Sequence, residues 1–314
     1  MALRDEVERL TPRSEFATLE AEVARLHAAG LDFQVQDGRL IIGADRAVRE
    51  TIIDMGREHI RLGIVSDTHA GSHAEQLTAL RHFYRYADDR EVDAFIHCGD
   101  WTQGSDRMHP DQPYHLHAHG ADQQVAYAVA TYPRSARPGI VTYGISGNHD
   151  DSFLKDGGMN VLRQISERRD DIRYVGIDAA YLTIGSLKMY LIHPRGGMPY
   201  SKSYRLQKIA EAQPISRQLN LLLMGHLHSF AMVQEHGMSA ILLPCFQGQY
   251  GWLATGGLHP DIGGIILDVW MTDDGSVGRM TTEFCRYQSI ADDWDHEVST
   301  AVSHGWTPEG LVVP

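Results

Sequence analysis

Eight residues of the kinds that ligate metals or move protons fall in five short motifs. Asp67 and His69 lie in SDTH, Asp100 in CGDW, Asn148 and His149 in GNHD, His193 in LIHP, and His226 and His228 in GHLH. Carboxylate, imidazole and amide oxygen are hard to borderline donors that suit Mn²⁺, iron or Zn²⁺, and no cysteine is among the eight, which argues against a soft thiolate site. Seven of them can ligate directly. A catalytic zinc takes about three protein ligands and keeps a position open for water, so this set exceeds the needs of one ion. Two ions sharing a bridging carboxylate fit better, because a pair about 3.5–4 Å apart can hold a hydroxide and clamp the oxygens of a phosphoryl group during in-line displacement.

Each motif follows an apolar run that reads as a strand. LGIVSD, VDAFIHCGD and GIVTYGISGNHD alternate with helical patterns at Ala74 to Ala87 and Ala121 to Thr131. Buried strands joined by crossover helices imply right-handed βαβ units and a sheet covered on both faces. Further strands are expected at Ala180–Ile184, Leu187–His193, Leu219–Met224, Ala240–Pro244 and Gly263–Trp270, forming a second, mixed sheet. The ligand-type residues then sit just past strand C-termini, where open α/β sheets build their sites. Gly99, Gly147 and Gly225 adjoin them, permitting tight turns or close approach that a Cβ would obstruct.

Residues 1–58 read as a small extension and 59–314 as the main domain. Phe16, Leu19, Val23 and Leu26 recur at helical spacing between Ser14 and Gly30. DFQVQDGRLIIG alternates about Asp37-Gly38, a strong hairpin signal. Ala47 to Met55 reads as another helix. Such a helix, hairpin and helix resemble a winged-helix unit, but acids outnumber arginines there. A structural appendage or a self-association element, and hence a homo-oligomer, is the alternative to DNA binding.

Together, and in this order, the five motifs resemble the calcineurin-like metallophosphoesterases, whose pattern is DxH, GDx, GNH[DE], H and GHxH; the resemblance runs roughly from Arg61 to Tyr287. It implies an α/β fold, a four-layer α/β/β/α sandwich. It also implies one ion on Asp67, His69, Asp100 and His228 and a second on Asp100, Asn148, His193 and His226, with manganese first in line and iron, zinc or nickel as alternatives. His149 is left to contact the scissile phosphate and protonate the leaving oxygen, with Asp150 orienting its ring. The reaction expected is phosphodiester hydrolysis by a hydroxide bridging the ions. The stretch through PCFQGQYGWL resembles the exonuclease branch involved in DNA repair and phage replication, which makes a DNA or RNA nuclease the first reading. A cyclic-nucleotide phosphodiesterase or phosphomonoesterase, and a non-catalytic metal-stabilised subunit, are the others.

Several neighbouring residues invite a role with substrate. Arg195 carries a forked donor suited to phosphate, and Tyr200, Lys202 and Tyr204 follow it. Trp101 departs from the family pattern and offers either a stacking wall for a base or core packing. His109, His115, His117 and His119 fill an insertion that reads as a loop over the pocket, with a third metal site as the lesser alternative.

At 314 residues, 43% hydrophobic and 22% charged, the chain has the composition of a globular protein rather than of a disordered or fibrous one. No run approaches the roughly 20 apolar residues of a membrane span, and the charged MALRDEVERL does not read as a secretory signal, so a cytoplasmic protein without a membrane partner is expected. Cys98, Cys245 and Cys285 are few and scattered, as suits reduced thiols. A net charge of −13 disfavours tracking along long DNA and favours a short segment, an end or a small ester.

Overall fold

The computed structural model describes residues 33–36, 39–42, 48–197 and 199–294. The helix expected over 14–29 lies outside them. By internal contacts the chain divides into Met1–Ala47 and Val48–Pro314. In the first unit, β1 (Phe33–Gln36) pairs antiparallel with β2 (Arg39–Ile42), Gln36 facing Arg39, which is the hairpin read about Asp37-Gly38.

The second unit is built on two six-stranded sheets. In the first, β4 (His59–Val65), β5 (Ala94–Cys98), β6 (Thr142–Ser146) and β7 (Ile172–Ile177) run parallel. The antiparallel pair β13 (Gly263–Met271) and β14 (Val277–Arg286) extends this sheet beyond β4. The second sheet is mixed, in the order β11 (Ala231–Glu235), β12 (Met238–Leu242), β10 (Leu221–Met224), β9 (Leu187–Ile192), β8 (Ala179–Ile184) and β3 (Arg49–Ile53).

Alternation along the strands explains the layering. Ile60, Leu62 and Ile64, with Ile96, Ile265 and Leu267, point to a core shared with Leu182, Leu191, Leu223 and Ile241 of the other sheet. Their neighbours Val65, Phe95 and Ile266 point the opposite way and pack under α1 (Leu77–Asp89), α2 (Gly120–Thr131) and α4 (Val161–Arg168), whose Phe83, Val125 and Leu162 are buried there. Leu222 and Met224 likewise face outward beneath Leu206 and Ala210 of α5 (Lys202–Glu211). Because side chains alternate faces with period two, strands covered on both sides need apolar residues at every position, which is why they read as unbroken hydrophobic runs. The result is an α/β/β/α arrangement. Two shorter helices, α3 (Asp150–Gly157) and α6 (Gly251–Thr255), border the strand ends.

One expected element is different. Residues 49–53, read as part of a helix, form β3, which pairs parallel with β8 from Arg49–Ala180 to Ile53–Ile184. The β-branched run Thr51-Ile52-Ile53 is stiff at χ1 and fits a pleated edge, and pairing with a distant strand outweighs the weak local helical spacing. All three cysteines are free thiols, and no helix among the described residues is long and apolar enough to cross a membrane.

Candidate metal centre

Five parallel strands deliver the motif residues to one end of the two sheets. Asp67 and His69 follow β4, Asp100 follows β5, Asn148 and His149 follow β6, His193 follows β9, and His226 and His228 follow β10. Backbone bonds stitch the loops together: Asp67 N–H donates to Gly99 O at 2.9 Å and His69 N–H to Asp100 O at 3.1 Å. Asp67 also accepts the His226 N–H, and Asp100 Oδ1 accepts the His149 N–H at 2.8 Å.

Donor atoms gather in overlapping groups: Asp67, His69 and His228; Asp100, His193 and His226; and His69, Asp100 and His149. His228 Nε2 lies 3.1 Å from Asp67 Oδ1 and 3.1 Å from His69 Nε2. On the other side His193 Nε2 lies 3.0 Å from Asp100 Oδ2 and 3.1 Å from Asn148 Oδ1. Asp100 Oδ2 is 3.8 Å from His69 Nε2, so this carboxylate faces both groups. His226 Nε2 donates to the Gly196 carbonyl at 2.6 Å, which leaves its other ring nitrogen for a ligand.

Two observations make this donor set fit a pair of divalent ions. First, Asp67, His69, Asp100, His226 and His228 all have left-handed backbone, with φ from 47° to 83°, a conformation that costs a non-glycine residue about 1–3 kcal/mol and clusters at functional sites. Second, the convergence is too tight to hold without positive charge. Burial alone would raise the Asp67 and Asp100 carboxyls, yet the surrounding imidazoles, His228 for Asp67 and His193 for Asp100 foremost, hold both well below the usual carboxylate range. Burial would lower His193, but Asp100 and Asp67 push it up to about 9. Protons on imidazole thus balance two buried carboxylates, a task that bound cations would take over. At His226 burial, with the neighbouring His193 charge, outweighs the pull of both carboxylates, and the imidazole drops to about 4.

Close packing around Asp100 explains one glycine. A Cβ on Gly147 would stand 2.2 Å from Asp100 Oδ1, so no larger residue fits without displacing the carboxylate that faces both groups.

His149 shares a group with His69 and Asp100 but has a hydrogen-bond partner of its own. Its Nδ1 is 2.7 Å from the Gln103 carbonyl, to which it donates, and its ring meets that of His69 edge-on at 4.7 Å. Asp150 does not orient it. The Asp150 carboxylate instead accepts from Trp101 N and Gly147 N through one oxygen, and from Thr102 N and Thr102 Oγ1 through the other. Burial, with the nearby Asp100 charge, raises it to about 7. It joins the loop after β5 to the loop after β6, and the role expected for it belongs to a backbone carbonyl.

The expected substrate contacts also differ. Trp101 is fully buried, stacked on His97 at 3.9 Å with its indole N–H donating to Ile145 O, so it is a core residue with no face for a base. Trp101→Ala should therefore destabilise the protein by about 3–5 kcal/mol, read as a lowered denaturation midpoint. Unchanged stability with impaired substrate binding would restore the stacking role. The Arg195 guanidinium is held by Asp178, 2.7 and 2.9 Å away, and by Asp151, so its Nε and Nη2 donors are already engaged within the protein. Tyr200 is fully exposed and does not line the cavity. In the histidine-rich insertion, His109 lines the cavity and His115 packs on Tyr250 at 4.9 Å, while His117 turns to the buried Glu75 at 3.3 Å. Among the described residues these histidines form no three-donor metal group.

The cavity that opens over the donors measures about 300 Å³. Beside His69, Asp100, His149, His226 and His228 it is lined by Leu227, Gln247, Tyr250, Leu253, Leu258, His259 and Pro260. Most of this second group lies in the stretch after GHLH, whose apolar residues carry no metal-ligand signal and so do not stand out as a site.

A family model described as the calcineurin-like phosphoesterase superfamily domain matches residues 60–244, more than half of the chain and all five motifs. The chain belongs to this superfamily. No curated protein matches it by sequence. Among solved structures, this superfamily member is similar to an archaeal phosphodiesterase at 14% identity, over 72% of this chain and 100% of the other, with a TM-score of 0.39. It is also similar to zinc-complexed Vps29 from Entamoeba histolytica, at 12% identity over 73% of this chain and 100% of the other, TM-score 0.38. A 5′-nucleotidase precursor from Thermus thermophilus is similar at 12% identity over 78% of this chain and 58% of the other, TM-score 0.36.

Proposed function

We propose that this chain is a dinuclear-metal phosphodiesterase. The observation that carries this reading is the convergence of Asp67, His69, His193, His226 and His228 about Asp100, with Asn148 beside His193 and the His149 imidazole at the same cavity. Asp67, His69, Asp100 and His228 would hold one ion, and Asp100, Asn148, His193 and His226 the other. When bound, the pair supplies a water of lowered pKa and neutralises charge on the phosphoryl oxygens. The chain's own part is to fix the donors, exclude bulk water on the apolar side, and present His149. With Nδ1–H held by the Gln103 carbonyl, His149 keeps Nε2 free to carry a proton to the leaving oxygen. The presence of that imidazole favours an enzyme over a non-catalytic subunit, which has no use for it.

A small phosphodiester is supported over a nucleic-acid strand. No lysine or arginine lines the cavity among the described residues, and the rim arginines are occupied within the protein: Arg195 by carboxylates, Arg205 by the Arg195, Gly196 and Gly197 carbonyls. Gripping a strand requires cations along its backbone.

The test is a Mn²⁺-dependent panel of bis-p-nitrophenyl phosphate, p-nitrophenyl phosphate, cyclic mononucleotides, and single- and double-stranded DNA. Hydrolysis of the first and of small diesters, with DNA left intact, is the expected result. Turnover of the monoester with every diester untouched would refute a phosphodiesterase, and rapid DNA cleavage would restore the nuclease reading.

A further inference from the structure

The cavity is chemically divided, and its second half has no part in the metal chemistry. Imidazoles and Asp100 line one part; the other is mainly apolar, built from Leu227, Leu253, Leu258, Pro260 and the ring of Tyr250, with Gln247 and His259 beside them. Leu227 and Leu253 are buried, and the Tyr250 hydroxyl is pushed up by burial while its ring rests against His115 of the histidine-rich insertion. Apart from Leu227, which lies between His226 and His228, these wall residues come from α6 and the chain on either side of it. Leu258 N–H donates to Leu253 O at 2.9 Å, and Asp261 N–H donates to the carbonyl of His228 at 2.8 Å, which ties the apolar wall to a metal-ligand loop.

Resting on the phosphodiesterase reading above, we infer that this wall is a subsite for one uncharged, apolar or aromatic ester arm of the substrate. Size and charge both point there. A cavity of roughly 150 Å³ lined by aliphatic side chains accepts a benzene ring, so about 300 Å³ accommodates a phosphoryl group together with one aryl or short alkyl arm. No lysine or arginine lines this side to meet a second phosphate, and its polar groups are engaged within the protein: Gln247 Nε2 donates to Gln103 Oε1 at 2.6 Å and to Ser72 Oγ at 3.2 Å, and His259 Nδ1 pairs with Gln249 Nε2 at 3.2 Å. Burying such a polar arm against leucine would leave its hydrogen bonds unmet, whereas an apolar arm gains by leaving water. The substrate class is therefore a small diester of phosphate with an apolar or aromatic alcohol, one arm seated on Leu253, Leu258 and Tyr250 and the phosphoryl group at the metal-ligating wall.

The experiment uses the full chain loaded with Mn²⁺ and a series of one-armed, non-hydrolysable ligands: methyl-, butyl- and phenylphosphonate, each titrated calorimetrically and as a competitor of bis-p-nitrophenyl phosphate hydrolysis. Each buried methylene is worth about fourfold in affinity, so phenylphosphonate should bind roughly 30-fold or more tightly than methylphosphonate. Leu258 is only partly buried, which makes it the safer residue to change. Leu258→Asn should compress the series to within about threefold without altering methylphosphonate binding, and Leu258→Met, which keeps apolar volume, should preserve the discrimination. Equal affinities across the series in the unaltered protein, or a full spread in Leu258→Asn, would overturn the subsite. The parent reading fails separately: if bis-p-nitrophenyl phosphate is not hydrolysed with Mn²⁺, the calorimetric arm still decides whether the apolar wall holds an arm.

Discussion

Replacing His149 with alanine should lower kcat for bis-p-nitrophenyl phosphate by roughly 10²- to 10⁴-fold while both metal ions stay bound, since a positioned general acid contributes about that much. The separation of effects follows from the geometry. The His149 backbone N–H, which the substitution keeps, is the group that donates to Asp100 Oδ1, so the shared carboxylate retains its partner. What disappears is the ring held by the Gln103 carbonyl. Elemental analysis of the variant should find the metal content of the parent protein. The loss should also be smaller for diesters with good leaving groups, because a leaving oxygen of low basicity needs less protonation. A variant with undiminished kcat would show that His149 is not the proton donor. Asp150→Asn is a different experiment: it disturbs four hydrogen bonds to Trp101, Thr102 and Gly147, so its effect should fall on stability and loop geometry rather than on the His149 ring.

Asp100→Ala should abolish turnover altogether and remove metal-dependent stabilisation. Its carboxylate faces His193 at 3.0 Å on one side and His69 at 3.8 Å on the other, so its loss strips a donor from both groups at once. In the parent protein, Mn²⁺ at about 100 times its dissociation constant adds about 2.7 kcal/mol of stability for one site, visible as a rise in Tm that EDTA reverses. The variant should show little or no such rise and less than one ion per chain. Deleting the carboxylate also leaves His193 without its nearest anionic partner, which makes the imidazole harder to protonate and relaxes the balance of charge within the site. Retention of two ions by Asp100→Ala would mean that the two groups are filled independently, and the shared-carboxylate arrangement would be wrong.

Legibility in the sequence depends on how local each cause is. The candidate ligand set can be read because a metal dictates donor types directly, and because each donor closely follows an apolar strand whose period is visible within half a dozen residues. The alternation that sends neighbouring strand residues to opposite faces, Leu62 toward one core and Val65 toward the other, is equally local. By contrast, Arg49–Ile53 reads as helix in isolation, and only its pairing with Ala180–Ile184, far along the chain, makes it a strand.

The neighbours of the candidate ligands are the hardest to assign. Trp101 and Asp150 sit in motifs whose chemistry suggests substrate and proton transfer, yet both point into the protein. The direction of a loop side chain depends on which other loop packs against it, and here the loops after β5 and β6 meet through the Asp150 carboxylate. Arg195 is drawn off by Asp178 and Asp151 for the same reason: charges brought near by folding outcompete a ligand arriving from water.

By itself, then, the chain's order of residues determined the family, the layered α/β scheme and the seven candidate donors, since strand periodicity and metal preference act over short distances. Only the folded arrangement decided that a Gln103 carbonyl steadies His149, that Trp101 belongs to the core, and that Leu253, Leu258 and Tyr250 face the same cavity as His69 and Asp100. Those outcomes depend on the mutual placement of loops far apart along the chain, and that is set by packing of the whole rather than by any segment's own preference.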